Sequence, residues 1–253
     1  MCLVAVAWRV HTRYPLILLG NRDEWHQRPT VAADWWPEAP QAFGGRDLQA
    51  GGSWLGITRS GRIAVVTNNP LRSPGEEQPL SRGALVRDWL TGTASTGAYL
   101  DAIQRNEHRY AGFTLMVGTL NTGLEGFITP AGVLGARWRL PAGITVLANS
   151  PREAPWPKVG WLDGRLHEYL RRDELDPEDL LALAGRRMPV GEATSDSPQD
   201  LARLTPFVTG QDYGTRASTL ILGDAHGGWR FVERRFGPLG VPTGESQRSS
   251  APG

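Results

Sequence analysis

The amino-acid sequence predicts an α+β fold with largely antiparallel sheets. Predicted strands come first, followed by two helices, more strands, two more helices and a last group of strands. Short turns join most strand pairs, so neighbouring strands should run antiparallel, whereas a doubly wound parallel sheet needs a helix between strands. The chain shows neither an internal repeat nor a clear linker, so we expect a single domain over residues 1–240.

Strand signals dominate the first 70 residues. The apolar runs 2–9 and 15–20 flank a polar turn and predict a hairpin with buried strands. The segment from Pro29 to Pro40 is rich in proline and tryptophan and predicts an irregular loop. A second hairpin is expected where SWLGIT and IAVVTN flank the turn SGR.

Helical spacing and helix-start residues predict four helices in the rest of the chain. They cover residues 82–91 and 96–106, with Ser81 and Ser95 as N-caps, and run from Pro155 to about Arg171 and from Pro177 to about Arg187. Strands are expected in GFTLMVGTL, GLEGFIT, ITVLAN, STLILGD and GWRFVERRF. The polar stretch 189–200 should be flexible, and the tail 241–253 should be disordered.

Composition and charge exclude several classes of protein. The chain is 40% hydrophobic with a net charge of +1, which is ordinary for a soluble protein and gives no field that would collect nucleic acid. Its apolar runs fall short of the about 18 residues of a membrane span, and no secretory signal is present, so we expect a cytoplasmic protein. Lys158 is the only lysine, and codon bias explains the arginine excess better than phosphate binding does. Nothing in the sequence indicates the oligomeric state.

Cys2 is the only cysteine, which excludes an internal disulfide and a multi-cysteine zinc site. Its position beside the initiator methionine suggests a chemical role. After removal of Met1, one residue would carry both a thiol and a free α-amine, whose pKa of about 7.7–8.0 lets it accept the thiol proton. This pairing is the logic of N-terminal nucleophile enzymes. The alternative is a small buried apolar residue, which describes most free cysteines.

Four polar residues, Asn21 to Glu24, end the second strand of the predicted hairpin. The hairpin returns this segment to the N-terminus, so these residues can surround Cys2. An arginine such as Arg22 would stabilise a thiolate, and a carboxylate such as Asp23 would hold the α-amine. The alternative is a polar turn with an exposed ion pair, which contributes little.

Three further residues are candidates for the same site. Asn68 and Asn149 each end a predicted strand, where an asparagine either closes a turn or donates N–H groups to an oxyanion. Arg216 precedes the last hairpin and either forms a surface ion pair or binds a carboxylate. The five histidines show no metal-ligand spacing, and no Walker loop or dinucleotide fingerprint occurs, so we expect no metal site. Some tryptophans could line a ligand pocket, although most should be core residues.

These residues lie in motifs that resemble the transport and Golgi organisation family, also called the NRDE family after the segment Asn21–Glu24. The resemblance runs in order through MC, NRDEWHQRP, GGSWLGITRSGRIAVVTN, SRGALV, YAGFTLMVG, LANSPREAPWPKV, YGTRASTLIL and FVERR. It covers most of the chain. It implies the four-layer αββα sandwich of the N-terminal nucleophile (Ntn) hydrolases, with the choloylglycine hydrolase and penicillin V acylase group as catalytic analogues.

The resemblance implies a nucleophile at Cys2, an arginine and an aspartate in the NRDE segment, two asparagines and a late arginine. Arg22, Asp23, Asn68, Asn149 and Arg216 match these positions. The order GNRDE differs from the pattern of the analogues. Either Asn21 or Arg22 therefore takes the position of the arginine, and either Asp23 or Glu24 takes the position of the aspartate. We expect Asn21, Glu24, Trp25, Trp54 and Trp156 to contact the ligand.

Two functions are compatible with this site. The first is hydrolysis of an amide or thioester bond in a small amphipathic acyl compound, with no cofactor required. The second is a carrier that holds haem or an acyl lipid in the same pocket, because the family is linked to haem mobilisation and to lipid metabolism. In the carrier, Cys2 or a histidine would bind the haem iron.

Overall fold

The structure is a computed structural model that describes residues 2–69, 80–129, 135–150, 154–191 and 197–250. The chain divides into two compact units, and the first is discontinuous in sequence. It combines Met1–Arg28 with Ala142–Gly253, and the second unit is Pro29–Pro141. Each unit contains one antiparallel sheet. The prediction of a single domain over residues 1–240 stays a prediction.

The first unit is built on a six-stranded sheet. In order across the sheet its strands are β10 (Gly143–Ala148), β1 (Cys2–Trp8), β2 (Leu16–Trp25), β11 (Tyr213–Gly223), β12 (Trp229–Phe236) and β13 (Pro242–Ser249). β1 and β2 form the predicted hairpin, and β10 and β11 lie on its two sides. Residues from the two ends of the chain therefore meet in the centre of this sheet.

Two helices, α3 (Pro157–Tyr169) and α4 (Pro177–Ala184), cover one face of the first sheet, and α5 (Pro198–Leu204) packs against α3. Alternate residues of β1, such as Leu3, Ala5 and Ala7, pack with helix residues such as Leu162 and Leu180 in one buried cluster. Side chains on a strand alternate between faces, so Asn21 and Asp23 continue the row of Ile17 and Leu19 toward the helices.

The second unit contains a seven-stranded sheet and two helices. Its strands follow sequence order across the sheet: β3 (Thr30–Trp36), β4 (Ala39–Asp47), β5 (Leu55–Thr58), β6 (Arg62–Asn68), β7 (Phe113–Thr119), β8 (Gly123–Ile128) and β9 (Ala136–Arg139). The helices are α1 (Arg82–Thr91) and α2 (Thr96–Asn106), and one-turn 3-10 helices occur at Glu107–Arg109 and, in the first unit, at Pro238–Gly240. Trp89 of α1 is fully buried in the core of this unit with Phe113 and Leu115.

Most of the predicted elements are confirmed, including the α+β class. Ser81 and Ser95 cap α1 and α2 as expected, because their hydroxyl oxygens accept hydrogen bonds from Gly83 N and Ala98 N. The third predicted helix begins at Pro157 rather than Pro155, and the fourth ends at Ala184 rather than near Arg187.

The predicted loop from Pro29 to Pro40 is wrong, because this segment contributes to β3 and β4. Pro37 and Pro40 are the prolines that argue against a strand, and both lie where no hydrogen bond between strands is lost. Pro37 lies between the strands, and Pro40 follows a register shift where Trp36 pairs with Ala39. The indole N–H of Trp36 donates a hydrogen bond of 2.9 Å to Gly44 O, which stabilises the hairpin formed by β3 and β4.

The predicted disordered tail is also wrong, because residues 242–249 form β13. This strand is polar and mostly exposed, and its backbone pairs with β12 at the edge of the first sheet. An edge strand can be held by backbone hydrogen bonds alone, so composition gave no signal. Residues 197–200 of the stretch predicted to be flexible begin α5, with Ser197 as N-cap, whereas 192–196 and 251–253 lie outside the described residues.

Candidate active site at the N-terminal cysteine

Cys2 is the first residue of β1, an interior strand of the first sheet. It lies directly opposite Arg22 in β2, so both side chains lie on the same face of the sheet. Only 8% of its surface is exposed, and the thiol is not in a disulfide. The hairpin thus brings the cysteine to the NRDE segment, as the sequence predicts.

The nitrogen of Cys2 is fixed by an asparagine from the opposite side of the strand. Cys2 N donates a hydrogen bond of 2.6 Å to Asn149 Oδ1, a contact between residues 147 positions apart. Asn149 follows directly after β10, whose residue Ala148 pairs with Leu3. The amide is buried at 6% exposure, so this bond is shielded from competing water.

Asn21 forms hydrogen bonds on the helix-covered face. Its Nδ2 donates to Ala184 O and Pro206 O, both at 2.8 Å, and its Oδ1 accepts from Ser218 Oγ at 2.7 Å. Ala184 is the last residue of α4, where carbonyl oxygens lack helical partners. Asn21 therefore connects β2 to α4, to the segment after α5 and to β11. Its predicted role in ligand binding stays a prediction.

Asp23 lies on the same face as Asn21 and is 3% exposed. Its Oδ1 accepts a hydrogen bond of 2.6 Å from Thr215 Oγ1, and its backbone oxygen accepts one of 3.1 Å from the Tyr213 hydroxyl. Its Oδ2 lies 4.0 Å from Nζ of Lys158, the second residue of α3. Lys158 carries no signal in the sequence that marks it as functional, because a single lysine among many arginines is explained by composition alone.

The thiol of Cys2 is held in its protonated form. Burial raises its pKa, and the negative charge of Asp23 raises it further. The positive charge of the N-terminus lowers the pKa most, and the charge of Arg22 and a hydrogen bond from the Asp23 backbone lower it further. The stabilising effect of Arg22 on the thiolate is present as expected, but desolvation outweighs it. A base is therefore needed to make this cysteine nucleophilic.

The remaining NRDE residues and Arg216 order the chain after β2. Glu24 Oε2 lies 3.8 Å from the guanidinium groups of both Arg22 and Arg28. Arg216, at a bulge in β11, donates hydrogen bonds to Trp25 O at 3.3 Å and to Arg28 O. The guanidinium thus supports the backbone that carries Trp25, whose side chain is 52% exposed.

The other predicted site residues are distributed over both units. Trp156 lies in the first unit, with its ring 5.4 Å from Lys158 Nζ. Asn68, the last residue of β6, and Trp54, which is 9% exposed, lie in the second unit. Their expected roles as oxyanion donor and ligand contact stay predictions.

The described residues contain neither a cluster of metal ligands nor a helix that could span a membrane. In the parts of the chain that the structure describes, no three His, Cys, Asp or Glu side chains cluster closely enough to hold a metal ion. None of the helices in those same parts is long and apolar enough to span a membrane.

Solved structures share this arrangement of strands and helices. A variant of conjugated bile acid hydrolase from Clostridium perfringens matches with a TM-score of 0.57 over 91% of this chain and 88% of that chain, at 8% identity. An N-acylethanolamine-hydrolyzing acid amidase ortholog from Caenorhabditis elegans matches with a TM-score of 0.51 over 87% and 92%, at 11% identity. The chain therefore has the fold of the Ntn hydrolases, with a cysteine at the position after Met1.

Sequence comparison identifies the family. The model of the family Transport and Golgi organisation 2 matches residues 1–238. The Transport and Golgi organization 2 homolog of Mus musculus is 31% identical to this chain over 239 residues, and the Transport and Golgi organization protein 2 homolog of Homo sapiens is 32% identical over 241 residues. Each match covers 87% of this chain and 86% of the relative. The chain belongs to the Transport and Golgi organisation 2 family, as the NRDE motif predicts.

Proposed function

We propose that this protein is a cysteine-dependent hydrolase that cleaves an amide or thioester bond in a small amphipathic acyl compound. The observation that carries the proposal is the 2.6 Å hydrogen bond from Cys2 N to Asn149 Oδ1. It fixes the nitrogen that becomes an α-amine when Met1 is removed. A nucleophile and an oriented base then reside on one buried residue, which is what N-terminal nucleophile chemistry needs.

The α-amine supplies the base that the buried thiol lacks. Its ordinary pKa of about 7.7–8.0 leaves a fraction unprotonated at neutral pH. The amine takes the thiol proton, directly or through one water, as Sγ forms a bond to the substrate carbonyl carbon. The carbonyl electron pair moves onto oxygen and then returns, and the leaving group departs with the proton held by the α-ammonium. Water, activated by the same amine, then hydrolyses the thioester on Cys2.

The oxyanion of this reaction needs N–H donors. Because Asn149 uses Oδ1 to accept from Cys2 N, its Nδ2 is the end available to donate to a substrate oxygen. Asn68 is the second donor that the family resemblance suggests. Loss of one such donor lowers the rate by about 10²–10³.

The proposed substrate class is supported by the structural neighbours. One is a conjugated bile acid hydrolase, and the other is an N-acylethanolamine-hydrolyzing acid amidase. A reducing cytoplasmic location, as expected from the sequence, suits this chemistry because Cys2 must remain a thiol. The carrier function, with haem or an acyl lipid as cargo, is the alternative and would use the same residues.

The experiment compares wild type with Cys2→Ser and Asn149→Ala. Intact mass first establishes that Met1 is absent. Each protein is then assayed against N-acyl amino acids, bile-salt-like conjugates and acyl-CoA, and titrated with haem. For a hydrolase, Cys2→Ser abolishes turnover and retains substrate binding, since serine is a poor nucleophile beside so weak a base. Asn149→Ala lowers turnover at least about 10²-fold.

The carrier predicts a different pattern. Haem would bind in stoichiometric amount, Cys2→Ser would shift its absorption spectrum, and Asn149→Ala would leave both unchanged. That result, with no hydrolysis of any of the three substrate classes, would replace the hydrolase by the carrier. Retention of Met1 in protein from its native host would also rule out the hydrolase mechanism.

A further inference from the structure

Lys158 occupies an unusual position for a lysine. Its side chain is fully buried, and Nζ has no hydrogen-bond partner among the described residues. It is the second residue of α3, close to the positive end of the helix dipole, which disfavours an ammonium group. A buried cation with unsatisfied N–H groups costs several kcal/mol or more unless a nearby charge offsets it. Such costly arrangements are most often found at functional sites.

The charge that offsets Lys158 belongs to the NRDE segment. Asp23 Oδ2 lies 4.0 Å from Nζ, and neither side chain is exposed. Asp23 Oδ1 accepts a hydrogen bond of 2.6 Å from the Thr215 hydroxyl. The face of the Trp156 ring lies 5.4 Å from Nζ, which also favours an ammonium group.

The same cation acts on Cys2. Burial lowers the pKa of Lys158, whereas the negative charges of Asp23 and of the Cys2 thiolate raise it. The interaction between two charges is reciprocal, so an ammonium at Lys158 favours the Cys2 thiolate. Asp23 has the opposite effect on the thiol. Lys158 and Asp23 therefore form a buried pair of opposite charges that act in opposite directions on the pKa of the Cys2 thiol.

The elements packed against α3 add few other charges near Nζ. β2 contributes Asp23 on the face that the helices cover, whereas Cys2 of β1 and Arg22 of β2 lie on the other face of the sheet. β10 contributes no titratable side chain. α5 contributes Asp200 and Arg203, which pair with each other at 3.3 Å, and the Arg203 guanidinium lies 6.0 Å from the centre of the Trp156 ring. α4 contributes Glu178, which pairs with Arg234. It also contributes Asp179, which accepts a hydrogen bond from Tyr169 and pairs with Arg172.

We propose that Lys158 is a positioning residue of the Cys2 site: its buried ammonium faces the side chain of Asp23 and supplies the positive charge against which Cys2 loses its thiol proton. Lysine suits this role better than arginine, because an ammonium is a compact point charge with three N–H groups rather than five. The proposal deepens the hydrolase function and rests on it for its catalytic meaning. The charge coupling itself exists without any substrate.

One lysine and one cysteine in the chain make a direct test possible. Protein labelled with ¹³Cε-lysine gives one lysine resonance, and ¹³Cβ-cysteine gives one cysteine resonance, so each group can be titrated by NMR without assignment. In wild type, Lys158 should be an ammonium at pH 7. In Lys158→Met the thiol titration should move to higher pH, since the loss of a buried positive charge disfavours the thiolate.

Two further variants test the charge balance. Asp23→Asn removes the negative partner, so the thiol should titrate at lower pH than in wild type. Arg203→Met is the matched control, because it removes a positive charge near the same tryptophan ring from a side chain that is 53% exposed. Solvent screens that charge, so its thiol titration should coincide with wild type.

The results distinguish this proposal from the hydrolase proposal, since no substrate is used. A neutral Lys158 at pH 7, or a Lys158→Met thiol that titrates with wild type, overturns the role of Lys158 and leaves the hydrolase untouched. If Lys158→Met does not fold, the ¹³Cε-lysine resonance of the wild type decides, and a neutral Lys158 at pH 7 overturns the proposal. The expected shifts in a protein without hydrolytic activity would support the coupling and reject the enzyme.

Discussion

Asn21→Ala should destabilise the first unit strongly, although Asn21 begins a motif that looks functional. The substitution removes three buried hydrogen bonds, two donated by Nδ2 and one accepted from Ser218. Each contributes about 1 kcal/mol, so their loss costs about 3 kcal/mol. The carbonyls of Ala184 and Pro206 also lose a buried partner, which raises the expected loss to about 4–5 kcal/mol. For a chain of this length that corresponds to a fall in Tm of about 8–20 °C.

Urea unfolding followed by tryptophan fluorescence measures this loss, and Ser218→Ala is the matched control. Ser218→Ala removes only the bond to Oδ1 and should cost about 1–2 kcal/mol. In the double variant the two effects should overlap by about 1 kcal/mol, because both single changes break the same bond. A loss below about 1.5 kcal/mol for Asn21→Ala, or strictly additive effects, would show that the network does not stabilise the fold.

Two other predictions concern glycines and pH. Gly164→Ala should stabilise the protein by about 0.5–1 kcal/mol in thermal unfolding, because it lies within α3 with open space around an added Cβ. Gly52→Ala should destabilise it by more than about 2 kcal/mol, because the new Cβ would collide with the Gly83 backbone, and equal effects of the two changes would contradict the structure. Burial lowers the pKa of Lys158, so the unfolded chain binds more protons between that lowered value and about 10.4. The free energy of unfolding of the wild type should therefore increase relative to that of Lys158→Met as pH rises through this window. A difference between the two proteins that does not change with pH would argue against the lowered pKa.

Local signals predicted the core of the site. Two apolar runs joined by a polar turn predicted an antiparallel hairpin that returns the NRDE segment to the N-terminus. The register that places Cys2 opposite Arg22 came from the structure. The family motifs then indicated Asn149, whose contact with Cys2 spans 147 positions and has no local signature.

The polar network behind the sheet could not be predicted in the same way. Asn21 binds partners 163 to 197 positions away, and Asp23 binds Thr215 across 192 positions. Such contacts depend on which helix covers which face of the sheet, and no periodicity encodes that. Lys158 was overlooked for the same reason, because its burial follows from the docking of α3. β13 was missed because its stability comes from backbone pairing and not from apolar side chains.

The discontinuous first unit has a consequence for the order of events during synthesis. β1 emerges from the ribosome first and β2 follows directly, but the other sheet neighbour of β1, strand β10, ends only at Ala148. At about 5–20 residues per second, the N-terminal strand waits for about 7–30 s before both of its neighbouring strands exist. Throughout that interval the peptide bond before Cys2 is accessible to a processing enzyme, and afterwards Cys2 is buried. For the proposed hydrolase, removal of Met1 is thereby tied to translation, because a chain that folded with Met1 in place would keep a blocked amine.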